Sequence, residues 1–367
     1  MNITYLIGNG FDINIGLPTT YESFLDYYCK KNDDNQIVKS FKNYINDNRK
    51  EWKDAELALG ESTKMFDSFE VPDENFRECY QNIVEELANY LSNIQNNIPD
   101  SIYSEDCLVE FVNSLTSFTS GLKLTDIDKV NRIIKDIPNG FNYHILNFNY
   151  TNVIDKLFSV YEKSDRNKIM GNRIINGSSY SNGLYTHIHV HGKTDSTMIF
   201  GVDSENQIGE PKLFNNDTLL KNMIIKSEMD SIIGDKTDEN AYKYFSNSDL
   251  IYVYGLSLGE TDTLWWNRII ELLKDNSLAI VIIYWFELNN ERIREAKIPY
   301  EKEMLIRKVK DRLFEYSSFD NEINENLKER VFISGVDIFE GFSKKIKGIM
   351  PIVFDVKDET LIISYNK

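Results

Sequence analysis

The chain has 367 residues, of which 41% are hydrophobic and 27% charged, a composition that favours a folded protein with a sizeable core over a disordered one. Its 58 acidic and 41 basic side chains give a formal net charge of −17, which disfavours nucleic acid as a partner. The sequence opens without a basic region followed by an apolar run, and no window is apolar enough to span a membrane, so a soluble, cytoplasmic protein is expected.

Short, dense apolar runs predict strands over residues 5–7, 143–148, 186–191, 197–202, 250–254, 278–286 and 331–334. Such runs are typical of a parallel sheet that is buried on both faces. Helical spacing directly after two of the strands, at residues 152–161 and 261–273, predicts crossover helices. The fold class is therefore α/β, with a mostly parallel sheet flanked by helices.

The long segment between the first and second strands has apolar positions that recur every three or four residues, and amphipathic helices are predicted at 21–29, 75–94 and 108–118. We predict a helical lobe inserted after the first strand over residues 21–139, above the carboxyl edge of the sheet. Residues 1–20 and 140–367 then form one α/β domain. Two apolar runs around residues 357–359 predict a terminal hairpin.

The first motif is IGNGFD, which follows the opening strand. Gly8 and Gly10 allow a sharp turn whose backbone N–H groups could face a ligand phosphate or ribose. The third glycine of a dinucleotide-binding fingerprint is missing, because position 13 is Ile. An ordinary strand-to-loop turn is an equally weighted alternative.

The second motif, NFNYT, ends the second strand. Asn147 and Asn149 are two residues apart, so on a strand they share a face while Phe148 points to the other. An amide both donates and accepts hydrogen bonds, which suits a ribose hydroxyl or a water. Alternatively, Asn149 only caps the helix that opens near Thr151.

Three of the four histidines, His187, His189 and His191, alternate with apolar residues. On a strand they would project from one face, about 7 Å apart. Since such a pattern can chelate a metal ion, a metal-dependent hydrolase is an alternative function. The cysteines are odd in number and far apart, so they supply neither a disulfide framework nor a four-cysteine zinc site.

A further glycine-rich turn, GLSLG, surrounds Ser257 after the strand at 250–254. It matches the nucleophile-elbow pattern, but no histidine follows Ser257 in the chain, whereas the usual order of that family places the histidine after the serine. Ser257 is therefore not assigned as a nucleophile.

Taken together, IGNGFD with GLPTTYESF, then NFNYT, HVHG and YGLSLGETD, resemble the bacterial abortive-infection proteins called AbiH, which are similar in motif order to sirtuin-like domains. The resemblance spans residues 6–262 and implies a sirtuin-like fold with NAD as the substrate. It implies catalytic roles for Asn149, His191 and Asp12, and nucleotide contacts by Gly8, Asn9, Gly10, Phe11, Asp12, His189, Gly255 and Ser257.

The chain also departs from sirtuin deacylases. It lacks their cysteine-ligated zinc module and the arginine of the segment aligned with residues 18–21, and Thr151 stands where they have an aspartate. Deacylation is therefore not expected, and the resemblance implies metal-free cleavage of NAD by water in phage defence. The alternatives are the metal-dependent hydrolase and a non-catalytic nucleotide-binding sensor; the sequence does not specify whether the protein forms a homo-oligomer.

Overall fold

A computed structural model describes residues 1–135, 137, 139–215, 217–234, 237–295, 298–350, 352–357 and 360–365. Its strands are β1 (Asn2–Ile7), β2 (Asn142–Asn147), β3 (Asn172–Ile175), β4 (Ser178–Ser181), β5 (Gly183–His189), β6 (Leu250–Tyr254), β7 (Ile280–Tyr284), β8 (Val331–Ser334), β9 (Ile352–Lys357) and β10 (Thr360–Tyr365). Six of them form one sheet in the order β5-β2-β1-β6-β7-β8, and every pairing in it is parallel.

Helices occupy most of the connections between these strands. Between β1 and β2 lie α1 (Gly10–Asn14), α2 (Tyr21–Lys30), α3 (Gln36–Asp47), α4 (Ala55–Ser62), α5 (Pro72–Asn96), α6 (Glu105–Thr116) and α7 (Leu124–Lys135). Farther along are α8 (Val153–Lys163), α9 (Arg166–Met170), α10 (Thr218–Ile224), α11 (Lys226–Ile233), α12 (Thr237–Ser246), α13 (Thr263–Asp275), α14 (Glu291–Arg294), α15 (Tyr300–Phe314), α16 (Asn321–Lys328) and α17 (Glu340–Ile349). Among the helices of the described residues, none combines the length and apolar character that crossing a bilayer requires.

The sheet is buried on both faces, as its dense apolar runs predict. Along β1, Tyr5 and Ile7 enter one hydrophobic cluster and Leu6 enters the other, and all three are fully buried. The first cluster includes residues of α2–α6 and α17, and the second includes residues of α12, α13, α15 and α16. The predicted α/β class with a mostly parallel sheet flanked by helices is therefore confirmed.

The helices between β1 and β2 reach over the carboxyl edge of the sheet. The Tyr90 hydroxyl of α5 donates to the Pro18 carbonyl at 2.8 Å, and Gln95 of the same helix bonds both the Asn152 N–H and the Thr194 hydroxyl. This segment therefore covers the loops that follow β1, β2 and β5. The division into a lobe at 21–139 and a domain formed by 1–20 and 140–367 stays a prediction.

One predicted strand is wrong and one is shorter than expected. Residues 197–202 form only isolated bridges, Gly192–Met198 and Val202–Ile225, because this run is apolar through burial in the first cluster rather than through sheet pairing. The predicted strand at 278–286 is trimmed to β7. The terminal hairpin is confirmed as the antiparallel pair β9–β10, and residues 358 and 359 lie outside the described residues.

Candidate functional site

The two glycine turns that follow β1 and β6 contact each other directly. The N–H of Gly8 donates to the Tyr254 carbonyl at 2.8 Å, and that of Gly10 to the Gly255 carbonyl at 2.9 Å. A Cβ atom built on Gly10 would lie 2.5 Å from the Cα of Gly255, whose φ is +72°. The expectation that these two amides face a ligand is therefore wrong, and the glycines are needed for the close approach of two backbones.

The side chains of Asn9 and Phe11 also have partners within the protein. The Asn9 amide donates to the Thr19 carbonyl at 2.7 Å and accepts from the Thr19 hydroxyl, which joins IGNGFD to the GLPTT segment. The ring of Phe11 is fully buried against three other phenylalanines, Phe111, Phe339 and Phe342. These contacts give both motif residues a structural role, while their assignment to nucleotide contacts stays a prediction.

Asp12, the next residue of the motif, is a buried carboxylate with an unused oxygen. Its side chain is 1% exposed, Oδ2 accepts from the Thr151 hydroxyl at 2.7 Å, and Oδ1 has no partner among the described residues. Burial raises its pKa to about 7, against the opposing effects of the Thr151 hydrogen bond and the charge of His189. A carboxyl group that titrates near neutral pH can exchange protons with a reacting group.

Asn149 follows β2, and the polar atoms of its side chain are unsatisfied. The residue is 5% exposed, and within the part of the chain that the structure describes neither its amide nitrogen nor its amide oxygen has a partner. Helix α8 begins at Val153 with Asn152 at the preceding position, so the alternative in which Asn149 caps this helix is wrong. Since burying an unpaired amide costs free energy, Asn149 is a candidate to bind a polar ligand.

The three histidines do not share one face, contrary to the sequence prediction. His187 and His189 are together, with ring centroids 4.9 Å apart, whereas His191 lies beyond the end of β5, where the chain turns at Gly192 with φ +71°. His191 instead faces Asp262, with Nε2 at 3.6 Å from Oδ1. The strand ends too early for the period-two alternation to reach His191.

Asp155, rather than His191, lies beside His187 and His189. Its Oδ2 is 2.7 Å from His189 Nε2, and its Oδ1 is 3.8 Å from His187 Nδ1. Burial would raise the pKa of Asp155, but the hydrogen bond and charges of the two histidines hold it below its ordinary value. Burial and the neighbouring His189 lower the pKa of His187 to about 3. A signal for Asp155 was present, because the first turn of a helix directly after β2 lies beside β5.

His191 belongs to a second, buried ionic cluster that sequence reasoning missed. Lys226 Nζ lies 2.8 Å from Glu56 Oε2 and 3.1 Å from Asp262 Oδ1, and it donates to the Thr261 carbonyl at 2.7 Å. Burial raises the pKa of Glu56 to about 7 despite Lys226, and burial together with Lys226 lowers that of His191 to about 3. Glu56 and Lys226 lie outside every recognised motif, and no pattern in the sequence connects them.

Ser257 is exposed in the loop after β6. A cavity of about 410 Å³ lies beside α13 and another of about 390 Å³ lies at the loop after β8, and neither is lined by Asp12, Asn149 or His191. The candidate site is therefore identified by its unpaired buried polar atoms rather than by an open cavity.

Comparison with known proteins identifies the family of this chain. The model of the family described as bacteriophage abortive infection AbiH matches residues 4–284, which include most of β1 and all of β2, β5, β6 and β7. A search of curated proteins found no match. The matched region contains Asp12, Asn149, His191 and both glycine turns. The chain therefore belongs to the AbiH family of bacteriophage abortive infection proteins.

Proposed function

We propose that this protein is an NAD glycohydrolase that acts as an effector of abortive infection. The observation that carries the proposal is the buried Asn149 amide, whose two polar atoms have no partner among the described residues. His189 bonds the carbonyl of Asn149, and its charge lowers the pKa of Asp12, whose Oδ1 is likewise unpartnered among those residues. Both residues follow central strands at the carboxyl edge of a parallel sheet. An amide that both donates and accepts is complementary to the hydroxyl groups of a ribose.

The sheet order supports a nucleotide as the ligand. Numbered along the chain, the six parallel strands run 3-2-1-4-5-6, the order of dinucleotide-binding α/β folds, in which ligands bind at the carboxyl edge where the strand order reverses. That reversal lies between β1 and β6, beside the interlocked glycine turns. We take the sheet to be sirtuin-like and the protein to act on NAD in the cytoplasm as part of the same proposal.

In the proposed reaction, the bond between the ribose and nicotinamide breaks while a water oxygen bonds to the same ribosyl carbon. Nicotinamide leaves as a neutral molecule, and the products are ADP-ribose, nicotinamide and a proton. Asn149 orients the ribose or the water, and the Asp12 carboxylate stabilises the oxocarbenium-like transition state and accepts the water's proton. His191 is neutral and a weak base, so it serves as a hydrogen-bond partner of a hydroxyl group.

The experiment is incubation of the purified protein with NAD, with chromatography of the products and calorimetric measurement of NAD affinity on the same preparation. Release of nicotinamide and ADP-ribose that falls to a small residual rate in Asn149→Ala supports the proposal. Tight binding without products would instead support the non-catalytic sensor. Absence of both binding and turnover would contradict either nucleotide function.

A second candidate, a metal-dependent hydrolase, is favoured by one observation. Asp155, His187 and His189 each offer a ligand atom, and these atoms lie within 4.8 Å of one another. This group differs from the predicted triple-histidine set, because Asp155 replaces His191. Zinc or manganese at one ion per chain, removed by a chelator together with activity, would favour the hydrolase; NAD turnover that survives chelation would favour the first proposal.

A further inference from the structure

We propose that Asp155 and His189 are positioning residues that hold the backbone of Asn149 so that its amide is aimed at the substrate. This inference rests on the proposed function, since it assigns these two residues to the same reaction. It is carried by four hydrogen bonds and one longer contact, between Asp155 and His187, around a residue whose own side chain has no hydrogen-bond partner among the described residues.

Both hydrogen bonds found for the Asn149 main chain go to side chains. Its N–H donates to Asn147 Oδ1 at 3.0 Å, and its carbonyl accepts from His189 Nδ1 at 2.7 Å. On either side, the main chain bonds to main chain: the Phe148 N–H donates to the Ile7 carbonyl, and the Tyr150 carbonyl accepts from Thr194. At Asn149 the sheet ladder has ended, so side chains must satisfy the backbone groups.

Asp155 connects the two side chains that perform this task. Its Oδ2 is 2.7 Å from His189 Nε2, and its Oδ1 faces His187 Nδ1 at 3.8 Å. His187 Nε2 in turn lies 3.3 Å from the Asn147 amide nitrogen. We call this closed set the Asp155 circuit, and it consists of Asp155, His189, Asn149, Asn147 and His187.

The strong arm of the circuit runs through His189. Its two ring nitrogens both face oxygen atoms at 2.7 Å, the Asn149 carbonyl on one side and the Asp155 carboxylate on the other. The arm through His187 is weaker, because its contacts are 3.3 and 3.8 Å long. Loss of His189 should therefore displace Asn149 more than loss of His187.

The same contacts distinguish the circuit from a metal site. Adjacent ligand atoms of a tetrahedral zinc ion with bonds near 2.0–2.1 Å are about 3.4 Å apart. His189 Nε2 and Asp155 Oδ2 are closer than this, at the distance of a charge-assisted hydrogen bond. Bound zinc would have to push them apart and remove the proton they share.

The role of the circuit follows from the lack of hydrogen-bond partners for the Asn149 side chain among the described residues. This amide has no partner of its own, so in the absence of substrate the backbone is what fixes its direction. A misplacement of about 1 Å at a reacting centre can cost on the order of 100-fold in rate. Satisfying the main chain through His189 leaves the amide free for the substrate and limits such displacement.

The test is a double-mutant cycle between His189→Gln and Asn149→Ala in the full chain. We expect His189→Gln to lower kcat on the order of 100-fold with little change in KM, because remote contacts bind NAD while Asn149 acts on the transition state. In the Asn149→Ala background, the same substitution should change kcat by less than about threefold, because its effect acts through the missing amide. His144→Gln, a histidine on β2 outside the circuit, should leave kcat unchanged.

A second readout needs no turnover. Hydrogen exchange of a peptide that covers residues 147–150, followed by mass spectrometry, should become faster in Asp155→Asn and His189→Gln and stay as in the parent protein in His144→Gln. A parent protein that does not cleave NAD, with exchange as expected, would overturn the proposed function and the catalytic purpose of the circuit while leaving the circuit itself established. Turnover that is unaffected by His189→Gln, effects that simply multiply in the double variant, or zinc at one ion per chain would overturn the positioning role.

Discussion

Replacement of Asn149 by Ala is the substitution that separates chemistry from packing most cleanly. Both hydrogen bonds of this residue belong to its main chain and survive in alanine, whereas the two polar atoms that are lost have no partner. Removing a buried, unpaired amide relieves a desolvation penalty of roughly 1–3 kcal/mol, which offsets the lost packing. We therefore expect the free energy of unfolding to stay within about 1 kcal/mol of the parent value while most of the NAD turnover is lost.

Two neighbouring substitutions provide matched comparisons. Asn147→Ala removes the oxygen that accepts the Asn149 N–H and should cost about 1–3 kcal/mol, because a buried donor is left unpaired. Phe148→Ala removes a ring packed against His191 and Trp265, with centroids 5.3 and 5.5 Å away, and should cost about 3–5 kcal/mol. Urea unfolding of the three variants and the parent gives the free energies, and chromatography of NAD gives the turnover.

We expect Asn149→Ala to be nearly as stable as the parent, Asn147→Ala to be less stable, and Phe148→Ala to be the least stable of the three. If Asn149→Ala unfolds the protein as readily as Phe148→Ala, then Asn149 is a structural residue and its assignment to the substrate is refuted. If Asn149→Ala keeps both stability and turnover, the unpaired amide has no role in the reaction.

Three further predictions concern the surroundings of the site. Gly10→Ala should destabilise the fold by several kcal/mol in thermal unfolding, because its Cβ would collide with the facing glycine turn. The control Gly348→Ala, whose Cβ would meet no described atom within 4 Å, should stabilise its helix by about 0.5–1 kcal/mol. Equal effects of the two substitutions would contradict the close approach of the two glycine turns. Lys226→Met should cost about 3–5 kcal/mol in urea unfolding, because it leaves two buried carboxylates without their cation, whereas the exposed control Lys64→Met should cost far less. A Lys226→Met variant as stable as the parent would refute the ionic cluster. Because the pKa of Asp12 is raised to about 7, the carboxyl group is protonated in the folded state between pH about 4 and about 7, whereas it is ionised in the unfolded chain. As the pH rises through that range, this group therefore lowers the free energy of unfolding by roughly 1.4 kcal/mol per pH unit. Asp12→Asn should therefore gain stability relative to the parent at pH 8 but not at pH 4, and a gain that is the same at both would contradict the raised pKa.

The sheet could be predicted from the sequence because its apolar runs are dense and are bounded by turns. Strands over 5–7, 143–148, 250–254 and 331–334 correspond to β1, β2, β6 and β8. The run at 197–202 misled the analysis, since a buried loop under α5 is as apolar as a strand. A dense apolar run indicates that a segment is buried. Only its backbone pairing partners show whether the segment is a strand or a buried loop.

The site was predictable in part, for a similar reason. Asn149 could be selected because it follows a predicted strand, and Asp12 through the family resemblance, whereas Lys226 acts through Glu56 and Asp262, which are far away in the chain. The alternation of histidines and apolar residues continues to His191, so it gives no indication that β5 ends at His189. Beyond that end, His191 faces Asp262. Contacts between segments that are far apart in sequence depend on how loops meet at the sheet edge, which no local pattern records.

The central claim is that the unpaired Asn149 amide serves the cleavage of NAD, and one measurement tests it most directly. The nicotinamide released at saturating NAD is quantified for the parent protein and for Asn149→Ala, with equal folded fractions confirmed by unfolding. We predict steady release by the parent and loss of nearly all of it in the variant. Equal release by the two proteins, or no release by a folded parent that is supplied with NAD, would contradict the claim.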